Sequence, residues 1–211
     1  MTTPLSRRDW LTLVGCGAMA LASRRAAGAD DKPNILHIVA DDLGWADVGW
    51  HGSKHLTPNL DALVKSGVEL DRHYVQPVCT PTRTALMTGR WTSRFGPHVL
   101  QPSNLRALPP GTETLPSALR RVGYRTWLTG KWHLGSRAEW GPNHYGFDHS
   151  YGSLAGAADP WTHQYREGPY AKTWHRDEQP LDEEGNATEL VAAQAVRWIR
   201  EQRGPWYGYV P

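Results

Sequence analysis

Short apolar runs rich in β-branched residues alternate along the chain with segments of helical period. The run at residues 33–40, PNILHIVA, is typical of a strand buried within a parallel sheet. Further strands are predicted at residues 68–75, 124–129 and 206–210. Helices are predicted at residues 57–67, 84–88, 115–122 and 188–202. Because strands and helices alternate, the sequence predicts an α/β fold with a mostly parallel central sheet flanked by helices.

Two segments depart from this alternation. Residues 136–187 are rich in Gly, Pro, Trp and His and lack a period, which predicts a long irregular excursion over the functional edge of the sheet. The chain then stops at Pro211, directly after a predicted strand. A sheet without its later strands would expose an unpaired edge, so we expect a truncated protein.

Residues 1–29 are predicted to be a signal peptide rather than part of the fold. Arg7-Arg8 precedes a weakly apolar stretch, and Ala27-Gly28-Ala29 resembles a cleavage site. The paired arginines resemble a twin-arginine (Tat) signal, which predicts the Tat export machinery as a partner and a periplasmic or extracellular location. The residues before Cys16 also resemble a lipoprotein cleavage box, so lipid anchoring through Cys16 is the alternative.

Charge and hydropathy argue against two classes of protein. The chain carries 23 Lys and Arg against 21 Asp and Glu, a formal net charge of +2. This near balance, without basic runs, argues against binding to nucleic acid. No apolar run reaches about 18 residues, which excludes a transmembrane helix.

An acidic pair, Asp41-Asp42, follows the first predicted strand. Ligands of open α/β sheets bind at the carboxyl edge of the strands, which is where this pair is expected. Adjacent carboxylates suit a hard cation such as Ca²⁺ or Mg²⁺ rather than a metal that prefers thiolates. The alternative is a solvated turn in which one Asp caps a helix.

A second cluster surrounds Cys79, the one cysteine that remains after cleavage of the predicted signal peptide. In Cys79-Thr80-Pro81-Thr82-Arg83 the proline is predicted to lie in the first turn of a helix, with Cys79 at its N-terminal end. Free N–H groups and the helix dipole favour an anion there, and Arg83 adds a positive charge. The alternative is a buried, inert thiol.

The third cluster, Lys131 and His133, follows the strand predicted at residues 124–129. Two residues apart in an extended loop, their side chains are expected to point the same way. A cation and a titratable imidazole aimed at one point suit an oxyanion and a proton transfer. By itself such a pair is more often a surface feature.

Together these clusters resemble the type I sulfatases, which depend on formylglycine. Residues 79–90, CTPTRTALMTGR, are similar to the first signature of that family. Residues 123–133, GYRTWLTGKWH, are similar to its second, and residues 33–44 to its opening strand and metal pair. Residues 146–148 and 152–163 resemble the arylsulfatase B branch, which acts on sulfated sugars. The resemblance covers residues 33–211 and implies the N-terminal part of an alkaline-phosphatase-like sulfatase domain.

The resemblance implies a role for each site residue. Cys79 would be oxidised to Cα-formylglycine by a formylglycine-generating enzyme, and its hydrate would attack sulfur. Asp41, Asp42 and residue 79 would bind Ca²⁺ in preference to Mg²⁺. Arg83 would hold the formylglycine, Lys131 would contact the sulfate, and His133 would bond to the hydroxyl of residue 79. The family's remaining site residues, a His, an Asp-Asn pair and a second Lys, are expected beyond residue 211.

The implied function is a sulfatase, a sulfuric ester hydrolase that releases sulfate from a sugar or aryl ester. One alternative is a phosphonate or phosphate monoester hydrolase of the same superfamily. Another is an inactive remnant that binds sulfated glycan without cleaving it. Four of the 11 tryptophans lie near the predicted site or in residues 136–187: Trp132, Trp140, Trp161 and Trp174. Their faces suit sugar rings, but ordinary packing is the interpretation we favour for each.

Overall fold

A six-stranded mixed sheet forms the centre of the part of the chain that the computed structural model describes, residues 32–211. The predicted signal peptide and the alternative anchor at Cys16 lie outside these residues. The strands are β1 Ile35–Ile38, β2 Arg125–Lys131, β3 His149–Ser153, β4 Trp174–Arg176, β5 Gln179–Pro180 and β6 Trp206–Val210.

The order of the strands across the sheet is β1-β6-β2-β3-β4-β5. Strands β1, β6, β2 and β3 run parallel, whereas β4 and β5 extend the sheet as antiparallel neighbours. The prediction of an α/β fold with a mostly parallel sheet is therefore confirmed. The last strand of the chain, β6, lies inside the sheet between β1 and β2, so the edges of the described sheet are β1 and β5.

Four α-helices connect these strands: α1 Pro58–Ser66, α2 Cys79–Thr88, α3 Leu115–Arg121 and α4 Ala187–Glu201. The longest, α4, begins where the Asn186 side chain accepts a hydrogen bond from the Thr188 N–H, which satisfies one free donor of the first turn. Its buried side packs on β2, β3 and β6. None of the residues of α1 is buried.

Two apolar clusters fill the two faces of the sheet. The cluster between α4 and the sheet is almost wholly aromatic and consists of Trp127, Tyr151, Trp174, Ala195, Trp198 and Trp206. The cluster on the opposite face includes Met87, Leu108, Leu128, Trp132, Phe147, Tyr207 and Tyr209. Of the four tryptophans considered for sugar stacking, Trp132 and Trp174 are therefore packed inside, whereas Trp161 is 67% exposed.

The strand predicted at residues 68–75 is wrong. This segment contains a turn and no strand, and its apolar side chains stand in solvent, with Val68 86% and Val75 62% exposed. A strand needs a neighbour for its backbone hydrogen bonds, and within residues 32–211 β1 pairs only with β6. Exposed large apolar side chains are frequent between residues 36 and 75: they include Leu36, Ile38, Leu43, Trp45, Leu56, Leu63, Leu70 and Tyr74.

The prediction that residues 136–187 form an irregular excursion is wrong in part, because three short strands, β3, β4 and β5, lie within this otherwise irregular segment. These strands have only five, three and two residues, too few to show a period. Strand β3 also depends on a glycine: Gly152 has φ +123°, and a Cβ there would lie 2.3 Å from the carbonyl oxygen of Gly130. Close approach of two backbones, rather than an alternating pattern, forms this part of the sheet.

Within residues 32–211, none of the helices combines the length and the apolar character that crossing a membrane requires.

We expect Gly208→Ala to destabilise the protein by about 1–3 kcal/mol, the usual cost of overfilling a packed core. Gly208 lies in β6 beneath the indole of Trp127, and an added Cβ would meet that ring at 2.2 Å. Chemical denaturation measures the loss. Gly204→Ala is the control, because a Cβ at that position meets no atom within 4 Å. Equal stability of the two variants would contradict the packing argument.

A second prediction concerns His175, a buried residue of β4 whose Nε2 lies 3.0 Å from the Ser150 hydroxyl. Burial lowers its pKa from 6.5 to about 4. Between these values the unfolded chain takes up a proton that the folded chain does not, so stability falls as the pH falls below 6.5. We expect His175 to account for a loss of about 2 kcal/mol between pH 7 and pH 5.

Denaturant titrations of wild type and His175→Gln at both pH values measure this contribution. The variant is expected to lose less stability on acidification, whatever its stability at pH 7. If His175→Gln loses as much stability between pH 7 and pH 5 as wild type does, the assignment to His175 is wrong.

Candidate active site

The carboxyl edge of the parallel strands brings the three clusters predicted from the sequence into one region. Asp41 and Asp42 follow β1, Lys131 is the last residue of β2, and Cys79 is the first residue of α2. Two cavities meet at Cys79. A small cavity of about 220 Å³ is lined by Asp41, Asp42, Cys79 and Arg83 among others.

The large cavity has a volume of about 630 Å³. It is lined by Cys79 and His133 and by residues of two loops, 102–104 and 156–166. Cys79 therefore lines both the cavity that contains the acidic pair and the cavity that these loops border.

Helix α2 explains the position of Cys79. It begins at residue 79 rather than at the predicted residue 84, and Pro81 lies in its first turn, as expected. Thr82 ties this turn down, because its hydroxyl donates to the carbonyls of Gln76 and Val78, both at 2.9 Å. Cys79 is a free, partly buried thiol at the helix end where backbone N–H groups attract an anion.

Arg83 lies one helical turn after Cys79 and is 2% exposed. Its guanidinium donates to the carbonyl oxygen of Lys131 at 2.5 Å and lies 3.7 Å from the Asp41 carboxylate. It also lies 3.5 Å from the hydroxyl of Tyr209 in β6. The side chain thus joins α2 to both central strands and places a fixed positive charge beneath Cys79.

Asp41 forms an ion pair with Lys131, with 2.5 Å between its Oδ2 and the Lys Nζ. Partial burial acts to raise the pKa of Asp41, but the hydrogen bond and charge of Lys131, together with Arg83, lower that pKa below its ordinary value. Asp42 has φ +57° and is exposed. Within residues 32–211 no group of three or more His, Cys, Asp or Glu side chains is placed to hold a metal ion.

His133 is 4% exposed, and its Nδ1 has no hydrogen-bond partner in the part of the chain that the structure describes. Burial, followed by the charges of Lys131 and Arg83, lowers its pKa to about 3, so the imidazole is neutral at neutral pH. The sequence suggested that Lys131 and His133 point the same way. In the structure Lys131 reaches Asp41 and His133 lines the large cavity, and the charges of Lys131 and Asp41 both act on the imidazole.

Sequence reasoning missed the polar side chains that two loops contribute to the large cavity. They include Ser103, Asn104, Asp159, Gln164 and Arg166. These loops have no periodic pattern, and only the folded chain brings them to the same cavity as Cys79. The motif spacing around Cys79 and Lys131 carries no signal for them.

The family model described as Sulfatase matches residues 33–211. Arylsulfatase J of Mus musculus is 43% identical over 141 residues, covering 65% of this chain and 24% of that protein. N-acetylgalactosamine-6-sulfatase of Homo sapiens is 32% identical over 197 residues, covering 84% of this chain and 38% of that protein.

Among solved structures, Ps i-CgsB in complex with k-i-k-neocarrahexaose is 32% identical, with a TM-score of 0.74. That match covers 85% of this chain and 44% of the other. The chain belongs to the sulfatase family. It spans less than half of the length of each of these relatives.

Proposed function

We propose that the protein hydrolyses sulfate esters, with residue 79 as the nucleophilic position. The observation that carries this proposal is the position of Cys79 at the start of α2, between the two cavities and above the buried guanidinium of Arg83. A negative charge that develops at residue 79 is stabilised there by backbone N–H groups and by Arg83. Membership of the sulfatase family supports the same chemistry.

The nucleophile is proposed to arise by oxidation of Cys79 to Cα-formylglycine, catalysed by a formylglycine-generating enzyme that reads the CTPTR sequence. When hydrated, this group supplies a hydroxyl that attacks sulfur. Lys131, at the end of β2, is proposed to bind a sulfate oxygen through its ammonium group. His133 is neutral, so its imidazole is suited to hold the hydroxyl of residue 79 by a hydrogen bond rather than by charge.

A Ca²⁺ ion is proposed to be held by Asp41, Asp42 and residue 79. Carboxylate oxygens are the ligands that this hard cation prefers, and the small cavity is lined by all three residues. As placed within residues 32–211, these three side chains do not form a metal-binding group, and they would supply fewer than the six to eight ligands usual for Ca²⁺. The ion would polarise the sulfate oxygens, while Lys131 and Arg83 keep Asp41 ionised.

The substrate is proposed to be a sulfated sugar. The relatives include an N-acetylgalactosamine-6-sulfatase and a structure solved with k-i-k-neocarrahexaose. The large cavity, which polar side chains line together with Cys79, has room for more than the sulfate group. Export through the Tat machinery to the periplasm or beyond remains our proposal for its location.

The test is to purify the full chain from a host that contains a formylglycine-generating enzyme and to weigh the tryptic peptide of residues 73–83. We expect an aldehyde in place of the thiol, together with sulfate release from sulfated monosaccharides. Nitrophenyl phosphonate is the comparison substrate and is expected to turn over more slowly than nitrophenyl sulfate. An unmodified thiol, or the reverse preference, would overturn the proposal.

A further inference from the structure

Asn104 lines the large cavity together with Cys79 and His133, and no predicted motif includes it. Its side-chain Oδ1 accepts two hydrogen bonds, one from the Ser136 hydroxyl at 2.9 Å and one from the Gly156 N–H at 3.0 Å. Its own carbonyl accepts a third from the Ser136 N–H at 3.0 Å. Asn104 therefore holds the loop of residues 102–104 against the loop that begins at Gly156.

These bonds also determine which way the amide group faces. A backbone N–H can only donate, so the Asn104 atom next to Gly156 must be the oxygen. The amide nitrogen, Nδ2, then lies on the other side of the group. Among residues 32–211 it has no hydrogen-bond acceptor, although Asn104 lines the cavity. Its two N–H donors are thus held in a fixed direction without a protein partner.

Gly156 couples this amide to the candidate site. The backbone at residue 156 packs so closely on His133 that a Cβ there would lie 2.3 Å from Nε2 of the imidazole. Asn104 thus holds the backbone that covers the His133 ring, and it lines the same cavity as Cys79. Such a fixed donor discriminates well between ligands, because its partner must bring an acceptor to one position.

We propose that Asn104 binds the alcohol part of the substrate, with Nδ2 donating a hydrogen bond to a hydroxyl or ring oxygen of the sugar that carries the sulfate. This inference rests on the proposed sulfatase function and adds a residue that selects sugar sulfates over aryl sulfates. An aryl ring presents no oxygen at the corresponding position, so its ester gains nothing from the amide. Asn104 is a binding residue in this proposal and takes no part in proton transfer.

The decisive variant is Asn104→Asp, which keeps the size of the side chain and the oxygen that Ser136 and Gly156 require but removes the donor. For a sulfated monosaccharide we expect KM to rise about 10- to 100-fold, the effect of losing one hydrogen bond and gaining a repulsive oxygen. For 4-nitrophenyl sulfate the rise in KM is expected to be several-fold smaller, because that substrate loses no hydrogen bond to Nδ2 and meets only the added negative charge.

Ser136→Ala is the matched control. It removes one bond to Oδ1 and leaves Nδ2 in place, so KM for the sugar sulfate is expected to stay near that of wild type. If both variants weaken both substrates equally, Asn104 merely ties the loops together and the inference is wrong. It is also wrong if Asn104→Asp leaves KM for the sugar sulfate unchanged.

Calorimetric titration of the sulfated monosaccharide separates this inference from the proposed function. Binding that is weakened in Asn104→Asp, without sulfate release by wild type, would support the inference and overturn the activity. Sulfate release that Asn104→Asp does not impair overturns the inference alone. If wild type shows neither binding of the sulfated monosaccharide nor sulfate release, both the inference and the proposed function are wrong.

Discussion

Cys79→Ala is expected to lower the rate of sulfate release by at least about 1,000-fold, in line with the loss of other catalytic nucleophiles. Alanine offers no group that an oxidising enzyme can convert to an aldehyde, so residue 79 cannot attack sulfur. The fold should not suffer, because the thiol makes no hydrogen bond within residues 32–211. Ion chromatography of released sulfate, with thermal unfolding beside it, measures both expectations.

Cys79→Ser is the informative comparison. Serine preserves the size of the side chain and offers a hydroxyl at the start of α2, next to the same guanidinium of Arg83. It lacks the second hydroxyl of a hydrated aldehyde, so a sulfate transferred to it would stay as a stable ester. We expect a single turnover at most, with sulfate retained on the peptide of residues 73–83. Sustained release by either variant would show that residue 79 is not the nucleophile.

The start of α2 shows what local sequence can predict. Pro81 restricts its own backbone and lacks an N–H, which is why it suits the first turn of a helix and why Cys79 could be placed at the helix end. Strands β1 and β6 were predictable as strands from their short apolar runs, but the expected burial is met only by β6, because β1 lies at an edge of the described sheet with Leu36 and Ile38 exposed. In both cases the information lies within a few neighbouring residues.

Long-range contacts account for what could not be predicted. Strand β3 forms because the backbones at Gly152 and Gly130 approach closely, and neither glycine signals a strand on its own. The strand wrongly predicted at residues 68–75 has the right residue types but no neighbouring strand within the described chain. The residue types of a segment therefore indicate that it can form a strand, but whether it does so depends on a neighbouring strand with which it can pair.

The candidate site likewise combines features that the sequence could predict with features that it could not. Asp41 and Lys131 were each placed after a predicted strand, and the carboxyl ends of parallel strands share one edge, where an ion pair that was not predicted joins the two side chains. The neutral state of His133 was not foreseen, since it follows from burial that only the folded chain reveals. Asn104 was missed altogether, because its partners Ser136 and Gly156 are distant in the sequence and carry no shared motif.

Arg83→Ala is expected to destabilise the protein by about 3–5 kcal/mol, the usual cost of removing one partner from a buried polar cluster. The 2% exposed guanidinium is hydrogen-bonded to the carbonyl of Lys131, and it lies near Asp41 and Tyr209. Its loss leaves the carbonyl without that donor and opens a cavity between α2 and the sheet. Urea denaturation of the purified chain measures the change.

Arg120→Ala is the matched control, because it also removes an arginine from a carboxylate but at the surface. The Arg120 side chain is 57% exposed and lies 3.0 Å from Asp148. Water and salt screen such a pair, so its loss is expected to cost no more than about 1 kcal/mol. If the two variants lose equal stability, burial does not set the contribution of Arg83. Arg83 would then act only by offsetting negative charge at residue 79. Because Arg83→Lys keeps the positive charge, that variant should in this case preserve both stability and activity.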